Sequence, residues 1–294
     1  MSGRGDIISR ISLSARLFKA RIAALAGFSS ATGYVLAAGG VSLGLLAPTL
    51  GVFLIACGSC ALNQIQERRI DSLMRRTSRR PLPSRRMGLR TALVAALITT
   101  AAGSLLLILK APVLSFALAA FAAVWYNGVY TYLKRATMFA AVPGGLIGAL
   151  PPAVGWTAAG GALADPEILS LMVFMFVWQV PHFWLLLLNH REDYDRAGLP
   201  AVTALFTPGQ LKRIIFVWIV AAAVSPMLIA MSGGSGSVLP LFLLGGTALW
   251  LVRQAARHES RAGAAVSTGA LYATLNVHAV LVLAVLSVGS VLKM

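Results

Sequence analysis

"GLLAPTLGVFLIACGSCALNQIQERRIDSLMRRTSRR", residues 44–80, begins as an apolar run and ends in a row of arginines. The run 44–65 is long enough to cross a bilayer, whose hydrocarbon core takes about 20 mostly apolar residues as a helix. Asn63, Glu67 and Asp71 follow one another at intervals of four. Each such step drifts only ~40° around a helix and climbs ~6 Å. The three side chains therefore form one polar ladder, provided the helix continues past the membrane boundary. Arg75, Arg76, Arg79 and Arg80 come directly after it.

The rest of the chain has the same texture. Of its 294 residues 58% are hydrophobic and only 12% charged, with a mean hydropathy of +0.80. A soluble domain carries about 25% charged residues, so the composition is that of a membrane protein. A net charge of +16 would suit nucleic acid, but the charges fall in short bursts between apolar runs, and no nucleic-acid partner is expected. Cys57 and Cys60 form a CxxC inside an apolar run, without further cysteines. They read as two small core residues rather than as a redox or metal pair.

Nine segments approach the length of a span: 22–40, 44–65, 91–109, 112–130, 138–157, 167–188, 214–231, 237–252 and 268–291. Short polar linkers such as 110–112 and 232–237 separate neighbours. With the N-terminus in the cytoplasm, 1–21, 66–90, 131–137, 189–213 and 253–267 lie inside and hold 23 of the 25 Lys and Arg. This is the bias that cytoplasmic loops show, and a count of eight or ten would misplace part of that charge. The expected fold is an all-α polytopic bundle of nine transmembrane helices, with a central cavity open to the cytoplasmic side. Residues 1–21 form a cytoplasmic lead, with the character of an interfacial amphipathic helix, and 22–294 a single transmembrane domain.

Nine acidic residues occur in the chain, and five of them, Glu67, Asp71, Glu192, Asp193 and Asp195, sit at or just beyond the cytoplasmic ends of spans two and six. Ionisable groups at the membrane boundary are costly and signal function. In "NHREDYDRAGLP", 189–200, Asn189 and Asp193 repeat the four-residue step, and Glu192 or Asp195 can supply a further oxygen. Carboxylates and amide oxygens are hard ligands suited to Mg²⁺, which binds through one or two carboxylates plus substrate phosphates. Two such clusters on one side of a membrane suit a metal clamp on one anionic ligand. Arg75, Arg76, Arg79, Arg80, Lys134 and Arg135 supply charge for phosphate oxygens. The plainer readings are that the acids merely pair with these arginines and that the arginines merely mark the cytoplasmic side. Both clusters at matching depth favour a site for Mg²⁺ and a phosphorylated lipid, of which an isoprenoid diphosphate is one.

"NQIQERRIDSLMRRTSRRPL" resembles the first aspartate-rich motif of the intramembrane prenyltransferases of the UbiA type. With "YTYLKR" at 130–135, "PGGLIGALPPAVGW" at 143–156 and "WQVPHFWLLLLNHREDYDRAGLP" at 178–200, it is similar to the branch that farnesylates protohaem IX. The resemblance covers about 60–210. It implies a farnesyl transfer from farnesyl diphosphate to the 2-vinyl group of haem b, giving haem O for terminal oxidases, with Mg²⁺ as cofactor and haem as substrate. It makes Asn63, Glu67 and Asp71 the first Mg²⁺–diphosphate motif and Asn189 and Asp193 part of the second. Tyr130 and Lys134 become a Tyr-x-x-x-Lys element beside the diphosphate. Asn189 departs from the usual aspartate and leaves the second metal one charge short. A haem A synthase would be the partner that takes the product. The expected location is a bacterial cytoplasmic membrane.

For the haem, the sequence offers His182, a histidine inside a span, with Trp178 and Trp184 nearby. Phe183 joins these tryptophans as a candidate to shield positive charge. The bland reading of all four is packing or a hydrogen-bonded bundle histidine. Two competing functions remain: a related prenyltransferase with a quinone or other ring acceptor, and a haem or lipid transporter without chemistry. Gly144, Gly145, Pro151 and Pro152, read as interrupting span five, suit the transporter. The gathering of the acids at one face rather than at the midplane speaks against it.

Overall fold

The computed structural model describes residues 12–232, 238–260 and 268–292. The linkers 233–237 and 261–267 and most of the N-terminal lead, 1–11, lie outside the described residues. After a short helical stretch at 12–17, the main helices are α1 (Ala20–Ala38), α2 (Leu46–Leu73), α3 (Leu89–Lys110) and α4 (Val113–Val124). A π-helical turn, Trp125–Tyr130, leads from α4 into α5 (Thr131–Ala136). Then come α6 (Ala141–Ala158), α7 (Pro166–Asn189), α8 (Arg191–Arg196), α9 (Pro208–Val224), α10 (Pro226–Ser232), α11 (Leu239–Ser260) and α12 (Thr268–Val291). No strand occurs among the described residues.

Eight helical stretches among the described residues are long and apolar enough to cross a membrane. They match eight of the nine expected segments. The ninth, 22–40, is α1, which turns Ser29, Ser30 and Thr32 inward and is not among the eight. The outward faces are greasy: Leu97, Ile98, Leu105, Ile108 and Leu109 of α3 are all exposed. A stripe of that size facing water would be an aggregation liability; facing lipid it is stable. Cys57 and Cys60 are buried and unpaired, as read from their apolar setting.

The bundle closes on itself. α2 packs along α3, α1 lies between α2 and α6, α6 packs on α7, and α12 lies against both α7 and α1. Ser287 donates to Thr32 Oγ1 (3.1 Å) and Ser290 to the Val35 carbonyl (3.0 Å), so the last helix is bonded to the first. α1 and α6 approach until their backbones nearly touch. A Cβ on Gly33 would collide with the Pro152 carbonyl, and one on Gly155 with the Ser30 carbonyl.

The expected interruption of the fifth span does not occur. α6 runs unbroken through Pro151 and Pro152, both buried. Buried in protein, the carbonyls that two prolines release find neighbours or small local adjustments. The break lies in the seventh span, where α9 ends at Val224 and Pro226 starts α10. The fourth span also departs from regularity, through its π turn.

Candidate active site

α2 continues to Leu73, past the apolar run, so the ladder forms as the spacing requires. Asn63, Glu67 and Asp71 are 0, 5 and 3% exposed, while Arg68 and Arg69 between them are exposed. Each rung meets a cation from a different element. Lys19 Nζ donates to Asn63 Oδ1 (2.9 Å), and Asn63 Nδ2 donates to Thr131 Oγ1 (3.0 Å). Lys134 Nζ lies 2.5 Å from Glu67 Oε1. Arg80 Nη1 donates to both Asp71 oxygens, at 2.9 and 2.7 Å.

The π turn is what brings Lys134 into line. The extra residue that a π turn carries rotates the helix beyond it. Thr131 Oγ1 donates to the Tyr126 carbonyl (2.8 Å) within the turn and at the same time receives Asn63. Tyr126, Tyr130 and Lys134 then lie on one face: the two rings stack at 5.9 Å, and the ammonium sits 5.7 Å from the Tyr130 centroid. Tyr130 also stacks on Phe183 of α7 (5.6 Å), and Gly144 of α6 leaves room for its ring.

The second acidic cluster meets the first through one residue. Asp193, 6% exposed, accepts the backbone N–H groups of Arg75 (2.8 Å) and Arg76 (3.0 Å) and the Arg196 guanidinium (3.4 Å). Burial opposes its charge, but the Arg76 and Arg75 N–H groups and Arg196 outweigh that and hold its carboxyl below the usual carboxylate range. Asp193 thus pins the arginine loop, and Thr77 pins it again by donating to the Asp71 carbonyl (2.8 Å). Glu192 and Asp195 point elsewhere. They are exposed and pair with Arg75 and Arg196, and with Arg191. Asn189 is partly buried at the end of α7.

The basic residues separate in the same way. Arg80 and Lys134 are inside the site. Arg135 donates to the Gln66 carbonyl (3.0 Å) and lies over the Tyr132 ring, bracing α5 against α2. The Arg75 side chain is 78% exposed, and Arg76 and Arg79 are exposed. The functional residue that the sequence does not single out is Lys19, which there carries only cytoplasmic charge. Its backbone is left-handed (φ 47°) at the start of α1, and its ammonium also reaches Tyr126 OH (3.4 Å). Burial, reinforced by Arg80 and Lys134, lowers its pKa to about 8 against the pull of Cys60 and Glu67. No short-range pattern marks it; only the fold brings position 19 to position 63.

Phe183, His182 and Trp178 lie about two to three turns before Asn189 along α7. His182 Nδ1 is 2.8 Å from Asn276 Oδ1 of α12, and its ring is 4.8 Å from Trp178 and 4.9 Å from Tyr272. Trp178 Nε1 donates to the Leu275 carbonyl (3.1 Å). Trp184 is instead packed in the core, edge-on to Trp218.

The donor set fits Mg²⁺. Asn63, Glu67, Asp71, Asn189 and Asp193 offer hard oxygens only. Gln66 Oε1 and Asn127 Oδ1, at the contact of α2 with the π turn, are buried acceptors without a donor. The ladder's own oxygens are held here by Lys19, Lys134 and Arg80, and a hard cation would take the place of those donors. No group of three or more His, Cys, Asp or Glu converges on one point among the described residues, so phosphate oxygens would have to complete the coordination.

Three comparisons bear on this geometry. The model of the UbiA prenyltransferase family matches residues 26–276. A protoheme IX farnesyltransferase of Geobacter sulfurreducens is 43% identical over 223 residues, 74% of this chain and 80% of that protein. Among solved structures, a UbiA homolog from Archaeoglobus fulgidus bound to DMAPP and Mg²⁺ superposes with a TM-score of 0.71. It is 14% identical and covers 96% of this chain and 99% of that one. At that identity the likeness is one of fold.

Proposed function

The chain belongs to the UbiA prenyltransferase family, and on that premise we propose that it transfers the farnesyl group of farnesyl diphosphate to the 2-vinyl group of haem b, giving haem O and diphosphate. The observation that carries the reading is the buried ladder in which Asn63, Glu67 and Asp71 each face a cation from another element. A buried ion pair is a poor stabilising device, because desolvation offsets its attraction. Two of them, Lys134–Glu67 and Arg80–Asp71, beside a buried Lys19 ammonium that donates to the neutral Asn63 amide, suit a site that exchanges partners when an anionic substrate enters.

Farnesyl diphosphate brings the phosphates to Lys134, Arg80 and Lys19 and lays its apolar tail toward Tyr130, Tyr126 and Phe183. Mg²⁺, held by Asn63, Glu67, Asp71, Asn189 and Asp193, would supply charge for the departing diphosphate. The C1–O bond breaks with both electrons leaving on oxygen, and the ammonium and guanidinium groups stabilise the charge that develops there. The allylic cation that remains faces the Tyr130 ring, whose π face favours positive charge. The vinyl π pair of haem attacks C1. Water adds to the cation left beside the porphyrin and releases a proton, giving the hydroxyethylfarnesyl substituent.

The protein spans the membrane many times. We place it in a bacterial cytoplasmic membrane, N-terminus and site both cytoplasmic, with 22–294 as a single domain and a haem A synthase as the consumer of its product. The test is haem O formation from haem b and farnesyl diphosphate by membranes containing the protein, followed by chromatography, with and without Mg²⁺. Prenylation of a quinone precursor in place of haem would transfer the reading to another branch of the family.

A further inference from the structure

The cluster of His182, Asn276 and Tyr272 has its proton positions fixed by geometry. Asn276 has one amide atom 2.6 Å from the Tyr272 carbonyl oxygen and the other 2.8 Å from His182 Nδ1. An amide oxygen facing the carbonyl would set two acceptors against each other. The amide nitrogen must therefore face Tyr272, and the amide oxygen faces His182. An amide oxygen only accepts, so His182 Nδ1 carries the proton. In the neutral imidazole Nε2 is then the acceptor. Its partner is the Tyr272 hydroxyl at 3.5 Å, a long and weak hydrogen bond that a stronger ligand displaces.

A histidine that donates Nδ1–H to a carbonyl oxygen and presents Nε2 is the arrangement found behind metal-ligating imidazoles. The surroundings match a flat, apolar ligand. Trp178 and Phe183 border the imidazole, with ring centroids at 4.8 and 5.5 Å. Phe183 in turn stacks on Tyr130, at the edge of the diphosphate ladder.

We propose that His182 Nε2 binds the iron of the haem acceptor. Asn276 is then a positioning residue that fixes the tautomer, and Tyr272 a neighbour whose hydroxyl turns away on binding. This rests on the reading of haem as acceptor. It sets the porphyrin beside Phe183, with its rim toward Tyr130, where a vinyl group on the rim can meet C1 of the prenyl donor.

The test uses the full chain in nanodiscs with protohaem IX and reads the iron spectroscopically, apart from turnover. Resonance Raman of the ferrous complex is expected to show an iron–imidazole stretch that is lost in His182→Gly and restored by added imidazole. In Asn276→Leu the stretch survives at lower frequency, because an imidazole without its acceptor is less basic. Tyr272→Phe keeps it. An unchanged stretch in His182→Gly overturns the proposal, even if the wild type makes haem O. Loss of the stretch in His182→Gly without recovery on adding imidazole also counts against direct ligation. Intact iron ligation in a protein that prenylates only a quinone would leave His182 as a haem ligand and remove the farnesyl-transfer reading instead.

Discussion

At the scale of single residues, the ladder separates charges that act from charges that decorate. Asp71 is 3% exposed and holds Arg80 through both its oxygens. Removing one partner of a buried pair leaves the other uncompensated, at a cost of roughly 3 kcal/mol. Arg80→Ala is therefore expected to lower the thermal unfolding midpoint in detergent as well as to abolish activity. Arg80→Lys should recover little of either, since a lysine cannot grip two oxygens as a guanidinium does. Asp71→Asn keeps the shape and removes the charge. Haem O formation in membranes should fall at least ~100-fold, the scale of losing a group that stabilises developing charge; wild-type rates would refute the site. Lys19 adds a pH dependence. Its pKa of about 8 lies below its ordinary 10.5, so the ammonium is lost, and activity falls, as pH rises through about 8. Stability moves the other way. Between about 8 and 10.5 the unfolded chain holds the proton that the folded chain has released, so stability rises with pH. The pH profile of kcat/KM, which reports the free protein, should show this alkaline limb, and Lys19→Arg should move it to higher pH.

At the scale of elements, two features carry the site that no pattern announced. The π turn Trp125–Tyr130 aligns Tyr126, Tyr130 and Lys134, and Thr131 bonds it to Asn63. The arginine loop is pinned by Asp193, which captures the N–H groups of Arg75 and Arg76. Asp193→Ala should free that loop, raising the rate of tryptic cleavage at Arg75 and Arg76 and lowering activity about tenfold or more, in line with a displaced catalytic group. Glu192→Ala, on an 83% exposed side chain, should do neither. Equal effects of the two substitutions would show that Asp193 acts by charge alone. The contact of α1 with α6 is the other vulnerable joint. Gly155→Ala would set a methyl group against the Ser30 carbonyl. Since overpacking costs about 1–3 kcal/mol, the folded yield and the unfolding midpoint should both drop.

At the scale of the whole molecule, the charge distribution predicts which side of the membrane the site faces. Both acidic clusters and the arginine loop belong to the side that collects Lys and Arg, so trypsin should cleave at 75–86 in inside-out vesicles and leave that loop intact in right-side-out ones. The apolar runs of the chain located eight helices long enough to span among the nine expected segments, because the cost of a polar backbone in lipid is local and shows in composition, while several ends, such as that of α2 at Leu73, lie beyond the apolar run. The four-residue spacing of Asn63, Glu67 and Asp71 likewise determined a one-faced ladder, since helical geometry is set by the backbone alone. The prolines of α6 misled, because whether a proline breaks a helix depends on what packs around it. The partners of the ladder were not in the sequence at all. That Lys19 meets Asn63, Lys134 meets Glu67, Asp193 caps the loop rather than joining Glu192, and Asn276 sets the proton of His182 depends on contacts between distant positions. Only the packing of α1, α2, α7 and α12 around one another decides those contacts.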